Sequence, residues 1–506
     1  MRSHVMTAAV ALVALLHAAP AAPQSSAAPD SSAAPRTSAA LRTHAAAAAA
    51  DAARAARVDS LFAEWTAPGS PGAAVAVLKD GEIVLERGYG LAQLEHEVPI
   101  TPATVFHVAS VSKQFTAFAI ALLAQRGELS LDDDVRTHLP ELPDLGARVT
   151  LRHLIHHTSG VRDQWELLGM AGWRLDDVIT KEHVLALMRR QRELNFPPGS
   201  EYSYSNMGYT LLAEVVERVG GMPFPEFLAE HVFRPLGMTR THMHDDHEHI
   251  VPGRAYSYRG GPEDEWRNAV LSYANAGATS LFTTAGDLAR WLRNYETAEV
   301  GGADAIAQMK QRGVLTSGDT IDYAFAIGRG EYRGRETWGH GGADAGFRAM
   351  VLHIPEERLG VVVLSNVAPF DPGGMAQRVA DVWLGDVAPA EDEAERASEA
   401  QREAPVPRTV TTAELAAYAG TYYSPELDAL YHIAGRDGRL VVRHQRLGDI
   451  ALRPGDEEDE FAGERWPVRR LLFTRDAADQ VDGFRLTGGR ARNLRFLRLA
   501  DGVLPR

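Results

Sequence analysis

The sequence predicts an α+β domain followed by a small all-β domain. Two observations support this prediction. Strand-like runs lie at both ends of the stretch 58–388 with helical patterns between them, an order that favours one antiparallel sheet built from both ends of the domain. Over residues 411–506, short strand-like runs alternate with Gly and Asp turns, which is typical of a small barrel or sandwich.

Four strand-like runs define the sheet of the first domain. Residues 73–78 and 83–87 flank a Lys-Asp-Gly turn at 79–81, which is a hairpin signal. Residues 349–354 and 359–365 flank a second turn near the end of the domain. We expect these runs, which come from opposite ends of the domain, to lie in one antiparallel sheet.

A helix is predicted to open at Ser110 and to stop at Gly127. Its apolar residues recur at the spacing of a core-facing helix: Phe115, Phe118, Ala119, Leu122 and Leu123. This apolar face would anchor the start of the helix against the body of the domain. Further helical patterns cover residues 181–192, 209–219, 224–231 and 285–295.

Three segments outside the folded domains are predicted from composition. Residues 1–22 have the basic start, apolar run and A-x-A site of a secretory signal peptide, and no later stretch is long and apolar enough to span a membrane. Residues 23–57 are predicted to be a flexible Ala/Ser/Pro-rich segment, which can run into a short helix through the alanines before Asp51. Residues 389–410 are predicted to be an acidic linker. We therefore expect a periplasmic or secreted protein with no stable membrane anchor after cleavage of the signal.

Composition excludes several classes of function. The 506 residues include no cysteine, which excludes disulfides, thiolate metal sites, a cysteine nucleophile and a lipidated N-terminal cysteine. The formal net charge of −15 argues against nucleic acid as a partner, because phosphate binding needs clustered positive charge. We expect the substrate to be a small molecule or a short peptide, and we expect no cofactor.

Ser110 and Lys113 are the first candidate catalytic residues. They stand three residues apart at the predicted helix start, so their side chains lie on one helix face within reach of each other. A serine hydroxyl needs a neighbour that removes its proton, and a desolvated lysine can do this whereas an arginine cannot. Arginine fills nearly all basic positions of the chain, and the lysines are Lys79, Lys113, Lys181 and Lys310. A lysine kept beside a serine therefore indicates a titratable amine.

Two further segments supply chemistry that a serine and a lysine lack. Residues 196–206 form a proline-rich lead into a polar tip with Tyr204, an acid or base candidate, and Asn206, which can donate and accept hydrogen bonds. Residues 338–347 contain His340 followed by two glycines. Glycines let the backbone approach a ligand and leave N–H groups free to meet an oxyanion.

Together these segments resemble the active-site motifs of the serine β-lactamase and penicillin-binding-protein superfamily, in its class C-like branch, which includes esterases and D-aminopeptidases. The motifs are Ser-x-x-Lys at 110, Tyr-x-Asn at 204 and His-Gly-Gly at 340, in that order. Supporting segments are Leu-Ile-His-His-Thr-Ser-Gly at 154–160, Phe-Arg-Pro-Leu-Gly-Met at 233–238 and Ala-Gly-Ala-Thr-Ser at 276–280. The resemblance covers the chain from roughly residue 58 to residue 385.

The resemblance implies an all-α subdomain beside an antiparallel sheet flanked by helices, with Ser110 at the buried start of the helix between them. Ser110 would attack an acyl carbon, Lys113 and Tyr204 would act as general base and acid, and water would hydrolyse the acyl-enzyme. The oxyanion would lie between the backbone N–H groups of Ser110 and Ala343, while Asn206 would orient the substrate. The implied substrate is an ester, a D-amino-acid amide or a D-Ala-D-Ala-type peptide.

The third motif departs from that of β-lactamases at its first residue. Those enzymes place a lysine there as a permanent cation for the substrate carboxylate, whereas an imidazole such as that of His340 is largely neutral at pH 7. Carboxylate recognition is therefore weaker, or it comes from Arg348, which is equally well explained as a structural ion-pair partner. We expect His340, Gly342 and Arg348 to line the substrate-binding site. No residue is identifiable as a dedicated deacylating carboxylate, so efficient β-lactam turnover is not the first expectation.

Three alternatives stay open at this stage. One is a true β-lactamase, and another is a non-catalytic binding protein that keeps the fold. A metal-dependent hydrolase would use the histidine-rich segment 242–249, although we interpret this segment as a solvated polar loop and predict no metal site. The C-terminal β-domain would either cap the mouth of the active site or mediate self-association.

Overall fold

The computed structural model describes residues 34–261, 264–385, 410–444 and 446–500. The segment 1–22, for which we expect a signal peptide, lies outside these residues, as does the linker 389–410 except for Val410. Among the described residues, no helix combines the length and the apolar character needed to cross a membrane.

The strands of the first domain are, in chain order, β1 (Ala73–Lys79), β2 (Glu82–Tyr89), β3 (Leu91–Gln93), β4 (Val98–Pro99), β5 (Phe106–His107), β6 (Ile179–Thr180), β7 (His242–Met243), β8 (Tyr258–Arg259), β9 (Arg267–Asn268), β10 (Tyr273–Ala274), β11 (Leu281–Thr283), β12 (Gly328–Tyr332), β13 (Arg335–Asp344), β14 (Phe347–Ile354) and β15 (Leu359–Ser365). Six of them form one antiparallel sheet in the order β12-β13-β14-β15-β1-β2. The remaining strands form short two- and three-stranded pairings around it.

The middle of the sheet joins the two ends of the domain. Strands β1 and β15 pair antiparallel, with Val75 opposite Val363, which confirms the predicted sheet. Both strands are almost wholly apolar because core clusters cover both faces of the sheet. In the turn between β1 and β2, Asp80 and Gly81 have φ of 52° and 84°, the left-handed backbone that a two-residue hairpin turn requires.

The helices of the first domain are α1 (Ala34–Leu61), α2 (Ser112–Gln125), α3 (Val135–His138), α4 (Leu151–Ile155), α5 (Gln164–Met170), α6 (Lys181–Arg190), α7 (Asn206–Gly220), α8 (Phe224–Leu228), α9 (Ala285–Thr297), α10 (Gly302–Met309) and α11 (Pro372–Leu384). Helix α9 packs on β1, β2 and β15, and α11 packs on β14 and β15. Helices α2, α4, α5 and α6 contact α7, and they form the predicted all-α part beside the sheet.

Helix α2 is the buried centre of the domain. Its residues from Ser112 to Leu123 are all buried, so it is enclosed around its whole circumference and not on one face alone. A 3-10 turn, Ala109–Val111, comes before it, so α-helical geometry begins slightly later than the predicted start at Ser110. Gly127, with φ of 72°, follows its end as predicted.

The segment before the first strand contains helix α1. It occupies the predicted Ala/Ser/Pro-rich stretch from Ala34 onward and is longer than the short helix that the alanines before Asp51 suggest. Alanine has the highest helix propensity of all residues, and this local preference forms a helix where too few large apolar groups are present to build a core. Residues 23–33 lie outside the described part of the chain, and the flexibility expected for 23–57 stays a prediction.

The second domain is a closed antiparallel barrel that follows a short helix, α12 (Thr412–Tyr418). The side chain of Thr411 and that of Glu414 form a capping box at the start of α12. The strands of the barrel are β16 (Gly420–Ser424), β17 (Ala429–Arg436), β18 (Arg439–His444), β19 (Gly448–Pro454), β20 (Glu460–Arg465), β21 (Val468–Arg475), β22 (Val481–Thr487) and β23 (Leu494–Arg498). Strand β16 pairs with β23, which closes the barrel and excludes the predicted alternative of a sandwich.

The barrel packs on the helical part of the first domain around α5. Arg162, just before α5, is fully buried, and its Nη1 donates to Oε2 of Glu426 at 2.6 Å. The Nε2 atom of His444 lies 3.0 Å from the carbonyl oxygen of Gly169 in α5. A buried ion pair between the domains fixes the barrel in one place, because either charge alone would be costly to bury.

Candidate active site

A cavity of about 520 Å³ lies between the edge of the sheet, the start of α2 and the barrel. Its lining contains all but one of the residues that the sequence predicts for the site: Ser110, Tyr204, Asn206, His340, Gly342, Ala343 and Arg348. The remaining one, Lys113, is fully buried behind Ser110. The three motifs, which are widely separated along the chain, therefore meet in one place.

Ser110 stands in the 3-10 turn between β5 and α2. The residue before it, Ala109, has φ of 47°, a left-handed conformation that residues other than glycine seldom adopt. Ser112 holds the turn: its Oγ donates to the carbonyl oxygen of Ala109 at 2.5 Å and accepts from the N–H of Leu281 at 2.9 Å. The second serine of the motif is thus a positioning residue, which the spacing of the motif does not reveal.

Lys113 lies within reach of the candidate nucleophile. Its Nζ is 3.1 Å from Oγ of Ser110, and it also bonds to Oδ1 of Asn206 and to the carbonyl oxygen of Ala278, each at 2.7 Å. Burial lowers the pKa of the Lys113 amine to about 7, and two nearby carboxylates oppose this shift only in part. A large share of the amine is therefore unprotonated near neutral pH and can accept a proton.

Asn206 is held in one orientation beside Lys113. Because its Oδ1 accepts from the lysine, its Nδ2 is the atom that donates to Oδ2 of Asp163, at 2.6 Å. The backbone N–H of Asn206 donates to the same oxygen at 2.8 Å. Asp163 also caps α5 by accepting from the N–H of Trp165 at 3.0 Å. The structure therefore places Asn206 on the cavity wall and adds a contact with the lysine that the motif does not specify.

The hydroxyl of Tyr204 is buried beside Ser110. It has no hydrogen bond of good geometry to another described residue. Burial raises the pKa of the Tyr204 phenol, and the neighbouring Ser110 hydroxyl opposes this only in part. The Nζ of Lys113 lies 4.9 Å from the centre of the tyrosine ring. The phenol is therefore protonated at neutral pH and adjacent to both members of the serine and lysine pair.

His340 is neutral, and both of its ring nitrogens are engaged. Its Nε2 lies 3.0 Å from the hydroxyl of Tyr323, and its Nδ1 lies 2.6 Å from the carbonyl oxygen of Gly341. A carbonyl can only accept, so Nδ1 carries the proton and Nε2 accepts from Tyr323. Burial, and then the charge of Lys113, lower the pKa of His340 to about 4. The imidazole therefore offers no cation to a substrate at neutral pH.

Tyr323 connects His340 to a second buried histidine, His157. The Nε2 of His157 lies 3.2 Å from the Tyr323 hydroxyl, and its Nδ1 accepts from the N–H of Ser205 at 3.1 Å. The pKa of His157 is held well below its usual value, chiefly by burial. Its ring packs on that of Tyr204, with centroids 4.1 Å apart. These contacts tie the Tyr-x-Asn segment to strand β13, and the sequence predicts no role for Tyr323.

Gly342 lets β13 approach the turn that carries Ser110. A Cβ at this position would overlap the carbonyl oxygen of Val108, two residues before the serine. At Gly341 a Cβ would have no heavy atom closer than 3.7 Å, which is ordinary contact. Of the two glycines in the third motif, only Gly342 is needed for β13 to pack closely against the turn that carries Ser110. Ala343, the next residue, lines the cavity together with Ser110.

Arg348 lines the cavity from β14 and is half-buried. Its Nη1 donates to the carbonyl oxygens of Ala345 and Phe347, at 3.3 and 2.7 Å. It forms no ion pair with a carboxylate anywhere in the described chain. Of the two roles that the sequence leaves open for Arg348, contact with substrate is the one that this environment favours.

Among the cavity residues that sequence reasoning missed, Arg490 comes from the barrel. It lies in the loop between β22 and β23, and its Cζ is 4.9 Å from the centre of the Tyr204 ring. Its backbone N–H donates to Oε2 of Glu166 in α5 at 2.6 Å. No local pattern marks this arginine, since its place in the cavity depends on how the two domains dock.

The histidine-rich segment lies away from this cavity. The rings of His242, His244 and His249 are neighbours, with Nε2 of His242 3.3 Å from Nδ1 of His244. Burial lowers the pKa of His242 to about 4 and that of His244 to about 3. In the part of the chain that the structure describes, no three His, Asp or Glu side chains are placed to hold a metal ion together.

A serine, a buried lysine with a lowered pKa and a protonated tyrosine meet between an antiparallel sheet and an all-α subdomain. The family model of the beta-lactamases matches residues 41–382. The chain belongs to the beta-lactamase family, as the resemblance of its motifs implies.

Relatives of similar sequence are D-aminopeptidases. The D-aminopeptidase of Gluconobacter oxydans (strain 621H) is 32% identical over 299 residues, which cover 59% of this chain and 56% of that protein. The D-aminopeptidase of Brucella anthropi is 30% identical over 317 residues, 62% of this chain and 59% of that protein. The chain thus spans less than two thirds of the length of these relatives.

Solved structures share the fold. An octameric penicillin-binding protein homologue from Pyrococcus abyssi superimposes with a TM-score of 0.58 at 24% identity, over 88% of this chain and all of that one. The D-amino acid amidase from Ochrobactrum anthropi SV3 has a TM-score of 0.55 at 22% identity, over 65% of this chain and 98% of that one. These similarities confirm the predicted β-lactamase/transpeptidase-like fold.

Proposed function

We propose that this protein hydrolyses amides or esters through an acyl-enzyme on Ser110. The observation that carries the proposal is the Lys113 amine, which lies 3.1 Å from Oγ of Ser110 and has a pKa lowered to about 7. A serine becomes a nucleophile when a neighbouring base takes its proton, and an unprotonated lysine at hydrogen-bond distance can be that base.

In the first step, Oγ of Ser110 forms a bond to the acyl carbon of the substrate and its proton moves to Nζ of Lys113. The carbonyl electron pair moves to oxygen, and the oxyanion lies between the backbone N–H groups of Ser110 and Ala343, which the close approach at Gly342 supports. The new ammonium is stabilised by Oδ1 of Asn206 and by the carbonyl oxygen of Ala278. Collapse of the tetrahedral intermediate then breaks the bond to the leaving group.

Tyr204 is the proton donor to the leaving group in this scheme. Its raised pKa means that it starts the reaction protonated, and its hydroxyl is adjacent to Ser110. As the bond to the leaving group breaks, Tyr204 gives up its proton and recovers one from the ammonium of Lys113. In the second half, water attacks the acyl carbon, its proton passes to the same pair, and Oγ of Ser110 leaves and is reprotonated.

For the substrate we propose a D-amino-acid amide or ester, or a short peptide of the D-Ala-D-Ala type. The names of the relatives support a D-configured acyl group: two are D-aminopeptidases and one structural neighbour is a D-amino acid amidase. A neutral His340 supports a substrate other than a penicillin, because the lysine that would hold the carboxylate in β-lactamases is replaced.

The test compares wild type, Ser110→Ala and Ser317→Ala, an exposed serine outside the cavity that serves as the matched control. The panel contains p-nitrophenyl acetate, the p-nitroanilides of D- and L-alanine, a D-Ala-D-Ala peptide and nitrocefin. We expect Ser110→Ala to lose about 10⁴-fold or more of kcat/KM on every turned-over substrate, while Ser317→Ala keeps wild-type rates. A fluorophosphonate that labels another residue, or a Ser110→Ala variant with full activity, would overturn the proposal.

A further inference from the structure

We propose that Arg490, a residue of the barrel, binds a carboxylate group of the substrate, so that the C-terminal domain forms part of the substrate-binding site. The proposal deepens the proposed function and rests on it. It goes beyond the three motifs, because Arg490 belongs to none of them and reaches the cavity from the second domain.

Arg490 shares the cavity with the reacting groups. It lines the same wall region as Ser110 and Tyr204, and its Cζ lies 4.9 Å from the centre of the tyrosine ring. Tyr204 is the proposed proton donor, so a group stacked on its ring borders the bond that is cleaved. The guanidinium of Arg490 is therefore close enough to contact a substrate. It takes no part in the proton transfer between Lys113 and Tyr204.

The main chain around Arg490 is firmly held by the first domain. The carboxylate of Glu166 accepts three backbone N–H groups of this loop, from Gly489 at 2.9 Å, Arg490 at 2.6 Å and Ala491 at 2.8 Å. The carbonyl oxygen of Arg490 accepts from the N–H of Asp163 at 3.1 Å, the residue that also orients Asn206. The position of the loop is therefore coupled to the catalytic residues.

Neighbouring barrel arginines differ from Arg490 in one respect. Arg485 and Arg492 form ion pairs with Glu193 and Glu201 of the first domain, at 2.9 and 3.0 Å, and so act in docking. The Arg490 side chain is exposed and has neither a hydrogen bond nor an ion pair with any residue that the structure describes. Three arginines thus lie on one side of the barrel, and the one inside the cavity is the one without a carboxylate.

The remaining charges of the cavity favour an anion over a cation. Two carboxylates line it, Asp344 and Asp371. Oδ2 of Asp344 bonds to the imidazole of His107 and to the hydroxyl of Thr279. Asp371 caps α11, because its Oδ1 accepts from the backbone N–H of Gly374 at 3.0 Å. Both carboxylates have internal partners, whereas the guanidinium of Arg490 is free to bind a carboxylate with two parallel N–H donors.

The experiment measures kcat/KM for two matched pairs of aryl esters. In one pair the acyl group carries the carboxylate (mono-p-nitrophenyl glutarate against p-nitrophenyl pentanoate), and in the other the leaving group carries it (m-carboxyphenyl phenylacetate against phenyl phenylacetate). We expect at least one carboxylate ester to exceed its neutral partner by about tenfold at low ionic strength, with the ratio falling as salt is added. The pair that responds tells which side of the scissile bond faces Arg490.

The same ratios are measured for Arg490→Gln, Arg490→Lys and Arg495→Gln, the last an exposed barrel arginine outside the cavity. The ratio should fall close to one in Arg490→Gln, recover in part in Arg490→Lys, and stay at the wild-type value in Arg495→Gln. Equal turnover of both members of each pair by wild type, or a preference that survives in Arg490→Gln, would overturn the proposal. Failure of the acyl-enzyme scheme itself would be recognised separately, because Ser110→Ala would then still hydrolyse the neutral esters.

Discussion

The two domains of this chain bury different kinds of side chain. The first domain encloses Lys113, His157 and Asn206 beside its apolar core, whereas the barrel is filled with aromatic rings such as Phe484 and Phe496, whose centroids are 4.5 Å apart. Burying a polar or charged group costs free energy unless it finds hydrogen-bond partners. The first domain meets this cost at the proposed active site, where Lys113 has three hydrogen-bond partners and a lowered pKa.

The barrel shows the opposite distribution. Its buried polar side chains include Glu426 and His444, and both bond to the first domain, to Arg162 and to the carbonyl oxygen of Gly169. The barrel meets the first domain at its surface, through these docking contacts and through the loop that carries Arg490. A domain with an aromatic core can thus serve as a rigid support for one loop.

The largest expected effect comes from changing the buried amine of the first domain. Lys113→Arg keeps a positive charge but removes a group that can lose its proton, so we expect kcat/KM for p-nitrophenyl acetate to fall about 10³-fold. The matched control is Lys181→Arg, since Lys181 makes ion pairs with Glu214 and Glu217 that an arginine can also make. Retention of more than a tenth of the activity by Lys113→Arg would mean that this lysine is not the base.

The next effect tests the contact between the domains. Arg162→Met leaves the carboxylate of Glu426 buried without its charged partner. We expect the free energy of unfolding, measured with urea, to fall by about 3–5 kcal/mol. The exposed pair of Arg446 with Asp177 is the comparison, and Arg446→Gln should cost less than about 1 kcal/mol. If both variants lose a similar free energy of unfolding, burial does not make the ion pair of Arg162 with Glu426 more important for stability than the exposed pair.

A third test separates the two adjacent glycines of β13. Gly342→Ala should lower kcat/KM about 10²-fold, because the new Cβ would overlap the carbonyl oxygen of Val108 and push β13 away from Ser110. Gly341→Ala, whose Cβ would meet nothing closer than 3.7 Å, should stay within about threefold of wild type. If the two variants lose activity equally, close approach is not the reason for the second glycine.

Local patterns predict the parts of the site that depend on local geometry. The spacing of Ser110 and Lys113 is enough to place both on one face of a helix start, and glycines after His340 are enough to indicate a close approach of the backbone. Hairpins with short turns and apolar strands also follow from sequence, as β1 and β15 show. These features need no knowledge of how distant segments pack.

Features set by packing between distant segments could not be predicted in this way. Tyr323 meets His340 and His157 only after the sheet and the helical subdomain are assembled, and Arg490 meets Tyr204 only after the barrel docks. Strands β19 and β20 contain charged residues together with glycine or proline, a composition that does not favour a strand. They adopt the extended conformation because they pair with neighbouring strands of the barrel. The helix over 34–57 shows the reverse case, because local propensity is sufficient to form it where core residues are scarce.

A pH dependence separates the two buried bases of the first domain. Lys113 has a pKa lowered to about 7, so below that value the amine holds a proton and kcat/KM should fall about tenfold for each pH unit, and above it the rate should level off. His340, with a pKa lowered to about 4, stays neutral over this range and should add no inflection. A profile of kcat/KM for p-nitrophenyl acetate from pH 5 to pH 9 measures this. If the inflection disappears in His340→Asn, the group that titrates is the imidazole of His340. The pH dependence of kcat/KM would then come from the histidine and not from Lys113.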